Sequence, residues 1–138
     1  MYKPINIHSE WEYGFRLACE CGHYDIVQYL VNLYCNDNNY KIINIHIGDE
    51  YGFRYACKNR YYDIAQYLVN LYHYDTKYTM INIHSKNEDV LINIHTNHNK
   101  MVKFLLTLYK KKNKDDCNNY KPINNYLLIF KKFDKYLL

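Results

Sequence analysis

The tetrapeptide Ile-Asn-Ile-His occurs four times in this chain, and its copies end at His8, His46, His84 and His95. Imidazole nitrogens are common zinc ligands, so a recurring histidine raises the question of a metal site. The first three copies are spaced 38 residues apart. Packed helices lie about 8–10 Å apart, whereas zinc holds nitrogens at about 2.0–2.1 Å. Equivalent histidines of neighbouring units therefore do not easily share one ion, and we predict that they cap or bridge a turn, with no metal site.

The other residues that can do chemistry also lack a catalytic arrangement. Cys19-Glu20-Cys21 is not a CxxC pair, and Cys19 recurs as Cys57 within a repeated segment, which favours a packing role. The four glycines precede no GK[ST] sequence, so no phosphate-binding loop is predicted. We therefore expect no enzymatic activity, no catalytic residues and no cofactor.

The spacing of the histidines comes from an internal repeat. Residues 5–42 (repeat one) and 43–80 (repeat two) align without gaps and are identical at 23 of 38 positions. A degraded unit follows at 81–122 (repeat three), and a remnant at 123–138 completes a predicted single array over 1–138. The fourth histidine copy, 92–95, is out of phase and aligns with Leu-Ala-Cys-Glu of repeat one. Such a period of identical segments is typical of repeat architectures.

Each unit has a helical pattern of apolar residues. Ile26, Val27, Leu30, Val31 and Tyr34 form one stripe with helical spacing, which predicts a buried face. A shorter segment from Tyr13 to about Glu20 precedes it and ends before Gly22, a residue suited to closing a helix. The unit is thus predicted to be a short helix, a tight turn, a longer helix and an extended linker through Ile-Asn-Ile-His.

These residues resemble the ankyrin repeat. The run from Tyr13 to His23 is similar to the family's TPLHxAAxxGH sequence, and Ile26, Val27 and Leu30 match its I-V-x-x-L. The 38-residue period and the Gly-Phe-Arg box look most like the ankyrin repeats of mimivirus-type giant DNA viruses. The resemblance implies an all-α ankyrin-repeat solenoid of helix-turn-helix units with extended linker loops, acting as a non-catalytic, viral protein-interaction module.

Several residues depart from the family pattern. Repeat two has Arg60-Tyr61 in place of Gly-His, so its turn must close without glycine. Repeat three places Asn93 at a position that is small and buried in the family. We therefore predict an irregular first helix over 88–95, a regular second helix over 100–110, and a capping helix in 123–138.

The partner-binding surface is predicted from variation between the repeats. In this family the loop tips and the exposed side of the first helix bind proteins, and positions that differ between repeats are free to serve a partner. The candidate residues on that side are Trp11, Glu10, Leu17, Glu20, Asp49, Tyr55 and Lys58. Trp11 is the single tryptophan and the candidate anchor. The alternative is that this variation reflects simple drift and serves no partner.

Composition and charge leave two alternative functions open. The net charge of +4 is modest, so a weak nucleic-acid-binding basic solenoid is one alternative, and a decayed paralogue without a partner is the other. The basic run 110–114 is predicted to be a solvated loop, since Asp115-Asp116 follow it. No apolar stretch approaches the length of a membrane helix, and five cysteines without an export signal favour reduced thiols. We expect a monomer in the host cytoplasm that binds a host or viral protein.

Overall fold

The described part of the chain is all-helical. The computed structural model describes residues 3–83, 85–86 and 99–115, and within these it has five helices and no strand. The helices are α1 (Ser9–Cys21), α2 (Tyr24–Asn36), α3 (Ile47–Lys58), α4 (Tyr62–Tyr74) and α5 (Asn99–Asp115). The all-α prediction is confirmed for these residues. The predictions for Asn93, for 88–95 and for the tail 123–138 lie outside them.

Tight turns join α1 to α2 and α3 to α4, and both use a left-handed residue. Gly22 has φ 79° and Arg60, at the equivalent position, has φ 70°. In each turn the amide after that residue donates a hydrogen bond to the preceding helix. His23 N donates to Ala18 O at 2.9 Å, and Tyr61 N donates to Ala56 O at 2.8 Å. The second turn therefore closes without glycine, as predicted, with an arginine in a conformation that L-residues rarely adopt.

The two helix pairs pack side by side, with α1 against α3 and α2 against α4. Phe15 and Phe53 are fully buried, and so are Cys19 and Cys57, which confirms the packing role predicted for these thiols. A Cβ added at Gly52 would lie 3.0 Å from both Phe15 Cε1 and Cys19 Sγ. Glycine at position 52 thus allows the close approach of α3 to α1.

Tyrosines make most of the polar links across this boundary. Tyr78 donates its hydroxyl to Val31 O at 2.8 Å, and Tyr34 donates its hydroxyl to the carboxylate of Asp75. The rings of Tyr34 and Tyr78 also meet edge to face at 6.2 Å. The hydrogen bond from Tyr34 lowers the pKa of Asp75 below its ordinary value. The two repeats are therefore joined by hydroxyl groups as well as by apolar packing.

One residue of the predicted buried stripe lies on the surface. Ile26 is 48% exposed, although its counterpart in repeat two, Ile64, is 1% exposed. Ile64 lies on α4, which packs against α2 of repeat one, whereas no described helix packs on the equivalent side of α2. The stripe prediction was wrong at Ile26 because helical spacing identifies an apolar position but not the presence of a neighbour.

Helix α5 confirms the predicted second helix of repeat three and extends it. Met101, Val102, Leu105 and Leu106 are buried at the positions that the repeat pattern assigns to the core. The basic run 110–114 was predicted to be a loop, and this was wrong because α5 continues to Asp115. Lysine is a good helix former, so the run continues the preceding helix. No helix in the described ranges has the length and apolarity needed to cross a bilayer.

Candidate interaction surface

The first helices of repeats one and two begin with a turn of left-handed backbone. Three consecutive residues, Glu10, Trp11 and Glu12, have φ of 53°, 58° and 58°. The equivalent Gly48, Asp49 and Glu50 have φ of 63°, 52° and 63°, and Lys86 of repeat three has φ 52°. Left-handed backbone costs an L-residue about 1–2 kcal/mol, so such a run requires specific stabilising bonds. We call residues 10–12 and 48–50 the left-handed turns.

The arginine of each Gly-Phe-Arg box supplies one set of these bonds. Arg16 donates from Nε to Trp11 O at 2.9 Å and from a terminal nitrogen to Glu10 O at 3.0 Å. Arg54 makes the same pair of bonds to Asp49 O and Gly48 O, at 2.8 and 3.2 Å. The planar guanidinium is suited to two such parallel donations. The arginine therefore holds the backbone of the left-handed turn from within the same repeat.

The recurring histidine supplies the second set through a buried glutamate. His8 Nδ1 lies 2.8 Å from Glu12 Oε1, and His46 Nδ1 lies 2.9 Å from Glu50 Oε1. Glu12 and Glu50 are only 6% and 5% exposed. A carboxylate is an acceptor, so the ring donates from Nδ1. The predicted bridging role of the histidines is confirmed for His8 and His46.

Each of these glutamates also reaches the next repeat. Glu12 Oε1 accepts the backbone amide of Asn44 at 3.2 Å, and Glu50 Oε1 accepts that of Asn82 at 3.0 Å. The asparagine side chain has its own role, because Asn44 Oδ1 accepts the amide of His46 at 3.1 Å. Asparagine and histidine thus recur in each linker because they complete a hydrogen-bonded chain from one repeat to the next.

The described region has no cluster of metal ligands, and two of its cysteines are buried thiols. Within residues 3–83, 85–86 and 99–115, no group of three or more His, Cys, Asp or Glu side chains is placed to hold an ion. Burial raises the pKa of Cys19 to about 12 and also raises that of Cys57. The reactive form of cysteine is the thiolate, so both buried thiols are poor nucleophiles at neutral pH.

The left-handed turns present three of the predicted partner-binding residues to solvent. Trp11 is 77% exposed, and the neighbouring Glu10 is exposed beside it. In repeat two, Asp49 is exposed and its carboxylate forms a 2.9 Å ion pair with Lys86 of repeat three. The two turns thus carry an exposed tryptophan and an exposed carboxylate that is paired with a lysine. The backbone of each turn is fixed by the two sets of hydrogen bonds described above.

The remaining predicted residues lie on α1 and α3 around stacked tyrosines. The ring of Tyr55 stacks on that of Tyr51 with centroids 4.1 Å apart, and Lys58 Nζ lies 5.2 Å from the Tyr55 centroid. Glu20 accepts the Tyr51 hydroxyl at 2.7 Å. Burial, followed by this hydrogen bond, raises the pKa of Tyr51, so its hydroxyl remains a donor at neutral pH. Leu17, at the position equivalent to Tyr55, is 40% exposed.

Arg16 connects these tyrosines across the two repeats. Its guanidinium carbon lies 5.7 Å from the Tyr13 centroid and 5.1 Å from that of Tyr51, within range of cation–π attraction. We call this set the aromatic row, and its members are Tyr13, Arg16, Tyr51, Tyr55 and Lys58. The comparison of repeats missed Tyr13, Arg16 and Tyr51 because they are identical between repeats and were therefore assigned to the fold. The density of tyrosine and arginine on the first helices was the available signal.

A cleft of about 390 Å³ lies between the first linker and the second, lined by residues 4–8 and 39–41. The Nε2 atom of His8 is buried here and has no hydrogen-bond partner among the described residues. In repeat two, His46 Nε2 lies 2.8 Å from Thr79 Oγ1. The position equivalent to Thr79 is Lys41, which has no hydroxyl to donate. The difference between the two histidines therefore follows from one substitution between the repeats.

The comparisons with known proteins gave no match to a family model, a curated protein or a solved structure. The features of this chain that bear on function are therefore the left-handed turns and the aromatic row. Tyr51 contacts both Glu20 and Tyr55, and Lys58 lies over the ring of Tyr55. Glu10, Trp11 and Asp49 lie in the exposed left-handed turns.

Proposed function

We propose that this chain is a non-catalytic protein-interaction module of ankyrin type, which binds its partner through the left-handed turns and the aromatic row. The observation that carries the proposal is the exposed Trp11 on a turn held by Arg16 and by the His8–Glu12 pair. Tryptophan, tyrosine and arginine are the residues most enriched among those that dominate binding energy at protein interfaces.

The rigidity of the surface supports this use. Ordering a side chain or loop on binding costs about 0.5–1.5 kcal/mol for each rotamer-rich side chain. Here the backbone of Trp11 is already held by a hydrogen bond from Arg16, and Tyr55 is already stacked on Tyr51. A partner would therefore meet a Trp11 backbone and a Tyr55 ring that are already ordered before binding.

The charges on this surface favour a protein partner over a nucleic acid. Lys58 and Arg16 are interspersed with Glu20, Glu10 and Asp49 on the same side of α1 and α3. Nucleic-acid binding requires cations that neutralise successive phosphates, and its affinity falls steeply with salt. A mixed surface of this kind suits a folded protein with complementary charges.

Support for the ankyrin type comes from the pairing of helices. α1 with α2 and α3 with α4 form two similar helix pairs that stack side by side at the 38-residue period, with extended linkers between them. The sequence resemblance to ankyrin repeats of mimivirus-type viruses makes an intracellular host or viral protein the first partner to seek.

The test is an affinity isolation from infected cells that compares the wild-type chain with Trp11→Ala. The matched control is Tyr74→Ala, because Tyr74 is an aromatic residue with a similar exposure of 79% at the end of α4. We expect to find a partner that is retained by the wild-type chain and by Tyr74→Ala. Its affinity for Trp11→Ala should be at least about tenfold lower, a loss of about 1.4 kcal/mol or more.

Equal retention by Trp11→Ala and wild type would contradict the proposal. Binding to mixed oligonucleotides that weakens steeply with salt would favour the nucleic-acid alternative instead. If no partner is retained by the wild-type chain, and circular dichroism shows that the chain is folded, the result would favour a decayed paralogue.

A further inference from the structure

The surface of repeat one that faces away from repeat two is apolar and open. Ile5 is 74% exposed, Tyr29 is 62% exposed and Ile26 is 48% exposed. A Cβ added at Gly14 would find no atom within 4 Å. We call these four residues, Ile5, Gly14, Ile26 and Tyr29, the stacking face.

In repeat two, two of the counterparts of these residues are buried and the other two contact repeat one directly. Ile43 and Ile64 are 2% and 1% exposed. Gly52 lies so close to α1 that an added Cβ would be 3.0 Å from Phe15 and Cys19. The ring of Tyr67 meets Tyr24 edge to face at 5.8 Å, and its hydroxyl lies 3.4 Å from the side-chain nitrogen of Asn32.

All four residues of the stacking face are identical to these counterparts. The interface between repeats one and two therefore shows which surface fits them: a phenylalanine and a small thiol against the glycine, and a tyrosine edge and an amide against the second tyrosine. Terminal repeats of such arrays normally require a polar outer face for solubility. Repeat one instead exposes large apolar side chains at the positions that bury them in repeat two.

We propose that the stacking face binds a further repeat of this same type, packed on repeat one as repeat one packs on repeat two. The incoming repeat presents residues equivalent to Phe15, Cys19, Tyr24 and Asn32. This inference is independent of the proposed partner surface, because it uses neither Trp11 nor the aromatic row.

The test adds one copy of residues 5–42 directly before Ile5 of the full chain. This junction repeats the natural sequence Ile42-Ile43, so it keeps the 38-residue period without a designed linker. Amide hydrogen exchange is then measured across α2, which carries Ile26 and Tyr29. We expect protection there to rise at least about tenfold over the 138-residue chain, and the urea midpoint to rise with it.

Gly14→Ala distinguishes docking from a general increase in stability. In the 138-residue chain the new methyl group meets open space, so this substitution should raise the urea midpoint. In the extended chain, position 14 of the original repeat should become as crowded as Gly52, so the same substitution should lower the midpoint. A reversal of sign between the two chains supports the docking geometry.

Two results would overturn the inference. One is an added repeat that exchanges freely and leaves α2 unchanged, with Gly14→Ala acting in the same direction in both chains. The other is concentration-dependent dimerisation of the 138-residue chain that Ile26→Asp abolishes, because this would assign the stacking face to a contact between two copies of repeat one. Both results leave the Trp11 test of the proposed function unaffected.

Discussion

Replacing Glu50 with alanine tests the role of the buried glutamates in joining the repeats. The carboxylate accepts His46 Nδ1 at 2.9 and 3.0 Å and the amide of Asn82 at 3.0 Å. The substitution thus removes the acceptor of two donors, one in the same repeat and one in the next. A hydrogen bond to a charged group contributes about 1.5–3 kcal/mol, and a donor left buried costs about 1–3 kcal/mol.

The two bonds are not additive, because they share one side chain and the exposed part of the His46 ring can recover solvent contact. We therefore expect Glu50→Ala to lower the free energy of unfolding by about 2–4 kcal/mol. Glu50→Gln should cost less, since the amide oxygen keeps one acceptor. The matched control is Glu10→Ala, an exposed glutamate of the left-handed turn in repeat one, for which we expect a change within about 0.5 kcal/mol.

The measurement is equilibrium unfolding in urea, monitored by far-ultraviolet circular dichroism. The dependence of the unfolding free energy on urea concentration is compared between the variants. Losses of less than about 1 kcal/mol for Glu50→Ala would refute the reasoning. So would equal losses for the Glu50 and Glu10 substitutions, because the effect would then not depend on the buried hydrogen bonds.

Three further predictions concern substitutions at four positions, and unfolding free energies check each of them. Gly52→Ala should destabilise the chain by about 1–2 kcal/mol because the new Cβ meets buried atoms at 3.0 Å. Gly14→Ala should stabilise it by about 0.5–1 kcal/mol. If both substitutions changed the stability of the 138-residue chain in the same direction, this prediction would be contradicted. Lys41→Thr should stabilise by about 0.5–1.5 kcal/mol by giving His8 Nε2 a donor, and no gain would show that this nitrogen is satisfied by water. The pKa of Asp75 is lowered first by the tyrosine hydroxyl that it accepts. The ionised Asp75 therefore contributes its full stabilisation above about pH 4, and this is lost as pH falls through the folded-state pKa. The difference in unfolding free energy between wild type and Asp75→Asn should accordingly shrink below about pH 4.

The helical pattern and the turns could be predicted from the sequence because they depend on local signals. Apolar spacing marked the core of the second helix of each repeat, and Gly22 marked the first turn. Arg60 showed that the second turn had to close without glycine, and its φ of 70° confirms this. These features are set within a few residues of chain, which is the range that patterns of residue type describe.

The left-handed turns could not be predicted in this way. Local propensity disfavours left-handed backbone at Trp11 and Asp49, and the conformation depends on bonds from Arg16, Arg54 and the buried glutamates. Those bonds arise only when the first helix and the following linker are both in place. The identity of Glu12 and Glu50 between repeats was visible, but their backbone conformation and their shared acceptor role were not.

The candidate surface was predicted in part for a related reason. Variation between the repeats identified Trp11 and Tyr55, which the structure exposes or half-exposes on α1 and α3. It excluded Arg16 and Tyr51, because identical positions were taken to serve packing alone. Both residues pack between repeats and also remain accessible, so a division into fold residues and partner residues fails at these positions.

The left-handed turns have a further consequence for where each first helix starts. Neither His8 nor His46 makes a side-chain cap bond to the helix that follows it. A right-handed helix propagating towards its own N-terminus from Tyr13 or Tyr51 instead meets backbone of the opposite hand and cannot continue through it. Each turn therefore acts as a chiral barrier that keeps the linker out of the helix, and it preserves the phase of the 38-residue period without a capping side chain.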